Sequence, residues 1–235
     1  MAEAPRRFAL VPSAGTSTRF GGEHPKQYAP VGGIPMLVRT LEALLRWGEL
    51  DAIFVVLAHD DAHYTRVALH PERVVALRCG GATRLESVAN GLDAMQARVR
   101  ANDWVLVHDA ARPCIGADAL SRLVSEVGDD AVGGLLAMPI ADTLKRAGAD
   151  DSRVHCTEDR HGLWCAQTPQ MFRYALLREA IGRARGAAMT DDAQAVEALG
   201  MRPRLVRGSA SNLKITYPDD LALAEAVIAL RERAP

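Results

Sequence analysis

Directly after a short apolar run, Phe8–Val11, the chain reads Pro12-Ser-Ala-Gly15, then Arg19, then Pro25-Lys26-Gln-Tyr28. These residue types in this order suit phosphate. A loop leaving the carboxyl end of a parallel strand is where α/β proteins place anionic ligands. Gly15 lets the backbone approach a ligand closely, and successive N–H groups can form an anion nest. Arg19 and Lys26 add two positive charges at the same mouth. The spacing excludes the two commonest phosphate loops. No Gly-Lys-Ser/Thr follows, and Ser17 and Arg19 stand where Gly-x-Gly-x-x-Gly would need its spacing. A nicotinamide dehydrogenase is therefore disfavoured. The plainer reading is a βα turn whose glycines only bend the chain, since loop glycines are common.

Val105-Leu-Val-His-Asp109-Ala-Ala-Arg112-Pro113 places an acid just past another apolar run. Facing the phosphate loop from a neighbouring strand, Asp109 is placed to hold Mg²⁺, which takes one or two carboxylates and completes its shell with water and substrate phosphates. Arg112 can contact a second anion; alternatively, Asp109 caps the next helix and Arg112 is solvated. Gly80-Gly81-Ala-Thr-Arg84-Leu-Glu-Ser87 opens a helix, which makes it either an anion site or a simple N-cap at Ala82–Thr83. Thr190-Asp191 precedes a further helix, where capping is the plain reading. Lys214 lies between apolar neighbours, as an edge-strand gatekeeper would. There is no obvious nucleophile–base pair. A reaction in which a phosphate is the attacking group needs none, because a phosphomonoester is already largely ionised at neutral pH. Positioning and electrostatics supply most of such catalysis.

Taken together, Leu10-Val-Pro-Ser-Ala-Gly15, Arg19 and Pro25-Lys-Gln-Tyr28 resemble the opening of the 2-C-methyl-D-erythritol 4-phosphate cytidylyltransferases of the non-mevalonate isoprenoid pathway. Val-His-Asp109-Ala-Ala-Arg-Pro, Asp142-Thr143-Leu-Lys-Arg146, Arg160-His-Gly-Leu-Trp-Cys-Ala-Gln-Thr-Pro-Gln170 and Asn212-Leu-Lys-Ile-Thr216 are similar to its later strings. The resemblance runs from Leu10 to the last helix and departs at Ser17, where the family usually has a second glycine. It implies transfer of CMP from CTP to 2-C-methyl-D-erythritol 4-phosphate, with 4-diphosphocytidyl-2-C-methyl-D-erythritol and pyrophosphate as products. On that likeness Arg19, Lys26 and Lys214 act on the α-phosphate. Pro12, Ala14, Gly15, Gly81, Arg84 and Ser87 surround CTP. Arg112, Thr143, Arg160, Thr190 and Asp191 hold the acceptor, and Asp109 holds Mg²⁺. The resemblance also implies a homodimer in which a polar arm crosses to the second subunit. The alternatives are a ribitol- or glycerol-type phosphate cytidylyltransferase and, from another class, a non-catalytic nucleotide-binding regulator.

The elements that must position these residues are legible as a rhythm. Strands are expected at Phe8–Val11, Ala52–Ala58, Arg73–Arg78, Asp103–His108 and Ala131–Met138. Helices are expected at Pro35–Trp47, Thr83–Val99, Ala117–Val127, Arg173–Ile181, Asp191–Leu199 and Asp219–Arg233. Unbroken apolar strands separated by helices predict an α/β fold with one doubly wound, mostly parallel sheet. The resemblance makes it the Rossmann-like nucleotidyltransferase fold with a projecting β-arm. Residues 139–162 are too polar for the core; they are expected to project as a hairpin whose arms are Asp142–Arg146 and Arg153–Thr157. The 235 residues are read as one nucleotidyltransferase domain, with no second catalytic domain expected. Balanced charge, 28 basic against 29 acidic residues, argues against a nucleic-acid partner. Four scattered cysteines without a Cys-x-x-Cys pair read as reduced thiols. Neither a signal peptide nor a membrane span is apparent, so a cytoplasmic location with no membrane partner is expected.

Overall fold

The computed structural model describes residues 3–15, 25–66, 72–148 and 152–233. Its strands in chain order are β1 (Arg7–Pro12), β2 (Pro30–Val31), β3 (Ile34–Pro35), β4 (Ala52–Val56), β5 (Val74–Leu77), β6 (Trp104–Val107), β7 (Gly133–Pro139), β8 (Leu144–Ala147), β9 (Val154–Glu158), β10 (Trp164–Arg173) and β11 (Arg204–Arg207). The helices are α1 (Met36–Trp47), α2 (Arg84–Ala94), α3 (Ala117–Val127), α4 (Tyr174–Arg183), α5 (Asp192–Glu197) and α6 (Asp220–Arg233). Among the described residues seven strands form one sheet in the order β11-β7-β10-β6-β1-β4-β5. All pairings are parallel except the two made by β10. The expected mostly parallel α/β sheet is thus present.

Alternation along the strands builds two apolar layers. On β1, Ala9 and Val11 face a core shared with Leu37, Leu41 and Leu44 of α1 and Leu120 and Leu123 of α3. Phe8 and Leu10 face the opposite core, with Val88 and Leu92 of α2 and Leu177 and Ile181 of α4. Two faces therefore bury one strand, which is why β1 reads as an unbroken apolar run. A third cluster joins α6 to the start of α1 through Val31, Met36, Cys114, Ile215 and Ala224.

The structure corrects several expectations. The helix expected over Thr83–Val99 ends at Ala94; Met95 and Val99 stay buried in the turns beyond it. β10 and β11 form where no strand is expected. The hairpin β8–β9 forms as expected, beginning and ending a residue or two later at each arm. β7 and β10 also extend as a pair beyond the sheet, from Met138↔Cys165 to Pro139↔Trp164, and carry that hairpin. No described helix is long and apolar enough to cross a membrane.

Asp103 fastens the start of β6 to the start of β1. Its buried carboxylate accepts N–H bonds from Arg6 and Arg100, each at 2.9 Å, and also pairs with both guanidinium groups. Burial opposes ionisation, but the N–H groups of Arg100 and Arg6, and then their charges, hold the carboxyl below its ordinary range. Such a group stabilises the fold above its unfolded pKa, and the contribution is lost as pH falls through the folded one. Asp103→Asn is expected to cost about 2 kcal/mol at pH 7, with the gap from wild type narrowing as pH falls below about 4. Urea unfolding of both proteins across that range checks it; a gap independent of pH would contradict the ionic account.

Candidate active site

Most of the expected site residues that are described gather at the carboxyl edge of the sheet. There the chain, having wound from β1 outward to β5, reverses to place β6 on the other side of β1. Ligands of doubly wound sheets bind at such a switch point. β1 leads into Pro12–Gly15, β6 into His108–Arg112, and β11 into the loop that carries Lys214. Lys26 stands on a 3₁₀ turn, Lys26–Tyr28, that is anchored on both sides. Gln27 donates to the Ser13 carbonyl at 2.9 Å, and the Tyr28 hydroxyl donates to Asp61 at 2.7 Å. Arg19 and Ser17 lie outside the described residues.

Two clefts open side by side. The first, about 240 Å³, is lined by Pro12, Ala14, Gly15, Lys26, Gly81, Arg84, Ser87, Asp109 and Lys214, among others. The second, about 230 Å³, is lined by Arg84, Asp109, Arg112, Gln167, Thr168, Gln170, Thr190, Asp191 and Lys214. Arg84, Asp109 and Lys214 face both. They form the wall between the clefts: Arg84 Nε lies 3.0 Å from Asp109 Oδ1, and Lys214 Nζ lies 2.8 Å from Asp109 Oδ2. Burial would raise the Asp109 carboxyl, but the charges of Arg84, Lys214 and Arg112 outweigh it and hold it well below the usual carboxylate range. Asp109 is an anion at any physiological pH.

Its backbone is fixed by a directional chain of hydrogen bonds. His108 Nε2 faces the Arg112 carbonyl at 3.2 Å, an acceptor only, so this nitrogen carries the proton. Nδ1 is then the acceptor for the Thr168 hydroxyl at 3.0 Å, and the Thr168 oxygen in turn accepts the Asp109 N–H at 3.0 Å. Burial pushes His108 down to about 4, so the imidazole is neutral, as this arrangement requires. Thr168 and Pro169 lie where the β7–β10 register shifts, between Ala166 and Gln170. Irregularities of this kind re-aim side chains beside active sites.

The remaining residues divide. Arg112 donates to the Asn212 carbonyl at 2.7 Å, and its Nε lies 3.8 Å from Asp109. Asp191 caps α5 by accepting the Gln194 N–H at 2.9 Å, as the capping reading holds, and also faces the second cleft. Thr190 donates to Gln194 through N–H and hydroxyl. Lys214 is in no strand, so it is not an edge gatekeeper. Thr143 and Arg160 sit exposed on the arm and line neither cleft within one copy of the chain. Sequence reasoning assigns no role to Thr168 or Asp192, although Thr168 stands inside a quoted string and Asp192 directly follows Thr190-Asp191. Asp192 binds both terminal nitrogens of Arg84, at 3.0 and 2.8 Å.

A divalent cation fits Asp109. Each carboxylate oxygen receives one cationic donor and has a further lone pair, and magnesium needs only one or two carboxylates when phosphates complete its shell. No cluster of three or more acidic, His or Cys residues occurs among the described residues, so a cage made wholly of protein ligands is not formed by them.

Gly81 lines the first cleft, packed against the start of α2. A Cβ there would stand 2.3 Å from Glu86 Cβ, inside the capping box that Thr83 and Glu86 form at the start of α2. Gly81→Ala is expected to destabilise the protein by about 1–3 kcal/mol, the usual range for overpacking. Thermal unfolding checks this, and an unchanged midpoint would show that the box yields freely.

The profile of the family described as 2-C-methyl-D-erythritol 4-phosphate cytidylyltransferase matches residues 8–230. A protein of that description from Dechloromonas aromatica is 52% identical over 230 residues, covering 97% of this chain and 100% of its own. One from Nitrosospira multiformis is 51% identical over 225 residues, covering 94% and 97%. A crystal structure of a 4-diphosphocytidyl-2C-methyl-D-erythritol synthase is similar, with TM-score 0.85 and 39% identity over 97% of this chain and 100% of that one. The cytidylyltransferase structure from Thermus thermophilus gives TM-score 0.76 and 34% identity, with the same shares covered.

Proposed function

The chain belongs to the 2-C-methyl-D-erythritol 4-phosphate cytidylyltransferase family, and on that premise we propose that it transfers CMP from CTP to 2-C-methyl-D-erythritol 4-phosphate, releasing pyrophosphate. The observation that carries this reading is the wall shared by the two clefts. Reactants bound on either side meet at Arg84, Asp109 and Lys214. CTP occupies the first cleft against Pro12, Ala14, Gly15, Gly81, Arg84 and Ser87. The acceptor phosphate occupies the second against Arg112, Thr190 and Asp191. A phosphate oxygen of the acceptor forms the new P–O bond to the α-phosphorus, and the α–β P–O bond breaks to release pyrophosphate.

Both reactants are anions, so the protein must cancel their repulsion and favour the charge that grows on the α-phosphate oxygens. Arg19, Lys26 and Lys214 supply that charge. Asp109 would hold Mg²⁺, which when bound would neutralise phosphate charge. We also assign the chain a single nucleotidyltransferase domain, 1–235, working as a cytoplasmic homodimer. The exposure of Thr143 and Arg160, away from both clefts, supports an arm at 139–162 that completes the acceptor site of a second copy.

Pyrophosphate release from CTP with a panel of polyol phosphates tests the reaction. Turnover is expected with 2-C-methyl-D-erythritol 4-phosphate; preference for ribitol or glycerol phosphate would move the acceptor assignment, and CTP binding without release would refute catalysis. Lys26→Ala and Lys214→Ala are each expected to lower kcat by about 10²-fold or more. Turnover within a few-fold of wild type would remove those roles.

Mixing subunits tests the dimer. Arg160→Ala has a defective arm and Lys214→Ala a defective wall, so each alone is slow. Co-refolded in equal amounts they should regain about a quarter of wild-type activity, because half the dimers are mixed and each of these holds one complete site. No recovery despite mixed dimers would place Arg160 in its own subunit's site or outside any site.

A further inference from the structure

Asp192 lines neither cleft, yet it pairs with the wall between them through Arg84. It is fully buried at the first turn of α5, and both its oxygens go to the terminal nitrogens of Arg84, at 3.0 and 2.8 Å. The third donor direction of Arg84, Nε, goes to Asp109 at 3.0 Å. Because a guanidinium is planar and rigid, fixing two of its nitrogens fixes the aim of the third. We propose that Asp192 is a positioning residue for nucleotidyl transfer. It holds Arg84 edge-on to Asp109, so that Asp109 keeps a hydrogen-bonded cation, and with it its aim, when Lys214 leaves it for the reacting phosphates.

The charges explain why such a device is needed. Asp109 is a buried anion in a place built to receive two further anions. Its partners are unlike in mobility: Lys214 is a flexible point charge with its side chain 45% exposed, whereas Arg84 is 29% exposed and tied at both ends. Without Arg84, moving Lys214 would leave Asp109 no hydrogen-bonded cation of the protein, only Arg112 Nε at 3.8 Å, and the carboxylate would lose the aim at which it would hold Mg²⁺. Arg84 prevents this only if it cannot swing away with the substrate, and Asp192 supplies that restraint. The bland reading is that Asp192 merely starts α5. That task belongs to Asp191, which accepts the Gln194 N–H, while the Ala193 N–H goes to Gln170.

The inference rests on the cytidylyl-transfer reading above, and one set of assays separates the two. Kinetic constants for CTP and for the acceptor would be measured for wild type, Asp192→Asn, Arg84→Met, the double variant and Asp192→Glu, with thermal unfolding of each. Asp192→Asn should lower kcat by about 10- to 100-fold with a smaller change in either KM, as expected for an interaction that acts in the transition state. In the Arg84→Met background the same change should have little further effect, because a residue acting only through Arg84 has nothing left to act on. Asp192→Glu, which keeps the forked carboxylate, should retain kcat within about fivefold of wild type. The double variant removes both buried charges and Asp192→Glu keeps both, so these two proteins remain informative where a single neutral variant fails to fold. The proposal is overturned if Asp192→Asn turns over like wild type, if it loses as much with Arg84 absent as with Arg84 present, or if Asp192→Glu is as slow as Asp192→Asn. Should wild type itself release no pyrophosphate, the reaction assigned above fails as well; wild-type turnover with an indifferent Asp192→Asn removes this inference alone.

Discussion

The site is organised around an anion held between two cations. Asp109 sits at the end of β6 with Arg84 on one oxygen and Lys214 on the other. A lone carboxylate at that depth would take up a proton or draw in water. With both partners it remains charged, and the partners are in turn held between the two clefts. The arrangement contributes little to stability, since a buried ion pair seldom outweighs its own desolvation. What it supplies is geometry: three elements distant in sequence, α2, β6 and the loop after β11, have their charged groups fixed within hydrogen-bond reach.

Much of this is legible in the sequence, and for definite physical reasons. The strands β1, β4 and β6 are buried on both faces, so each reads as an unbroken apolar run. Loops at their carboxyl ends follow from the topology, which is why Pro12–Gly15 and Asp109 can be placed beside each other from residue order alone. α1 and α3 read cleanly because their apolar stripes face one core. The capping box at Thr83 reads as an N-cap because Glu86 follows three residues later.

The unread parts lack those signals. β10 runs Trp-Cys-Ala-Gln-Thr-Pro-Gln-Met-Phe-Arg, and a proline with polar neighbours at its centre argues against a strand. It is a strand because the chain must return from the arm, and the proline falls where the ladder is interrupted. β11 has four residues, two of them arginine, and is defined only by the edge of β7 that it completes. Asp192 stands beside the expected Asp191 but has no local mark, because its partner is 108 positions away along the chain. Pairings of that span are decided by topology, and no window of sequence contains them. The helix of the 80s stops at Ala94 because the chain must turn into β6, although apolar spacing continues to Val99.

The distances along the chain have a consequence for synthesis. Asp109 is made early, Arg84 earlier still, but Asp192 and Lys214 are supplied by the last fifth of the sequence. Without that portion the wall at Asp109 lacks Lys214, and Arg84 lacks its anchor. A chain that ends before residue 192 has neither Lys214 beside Asp109 nor the carboxylate that binds Arg84. The fold thus assigns the completion of this wall to its final segment.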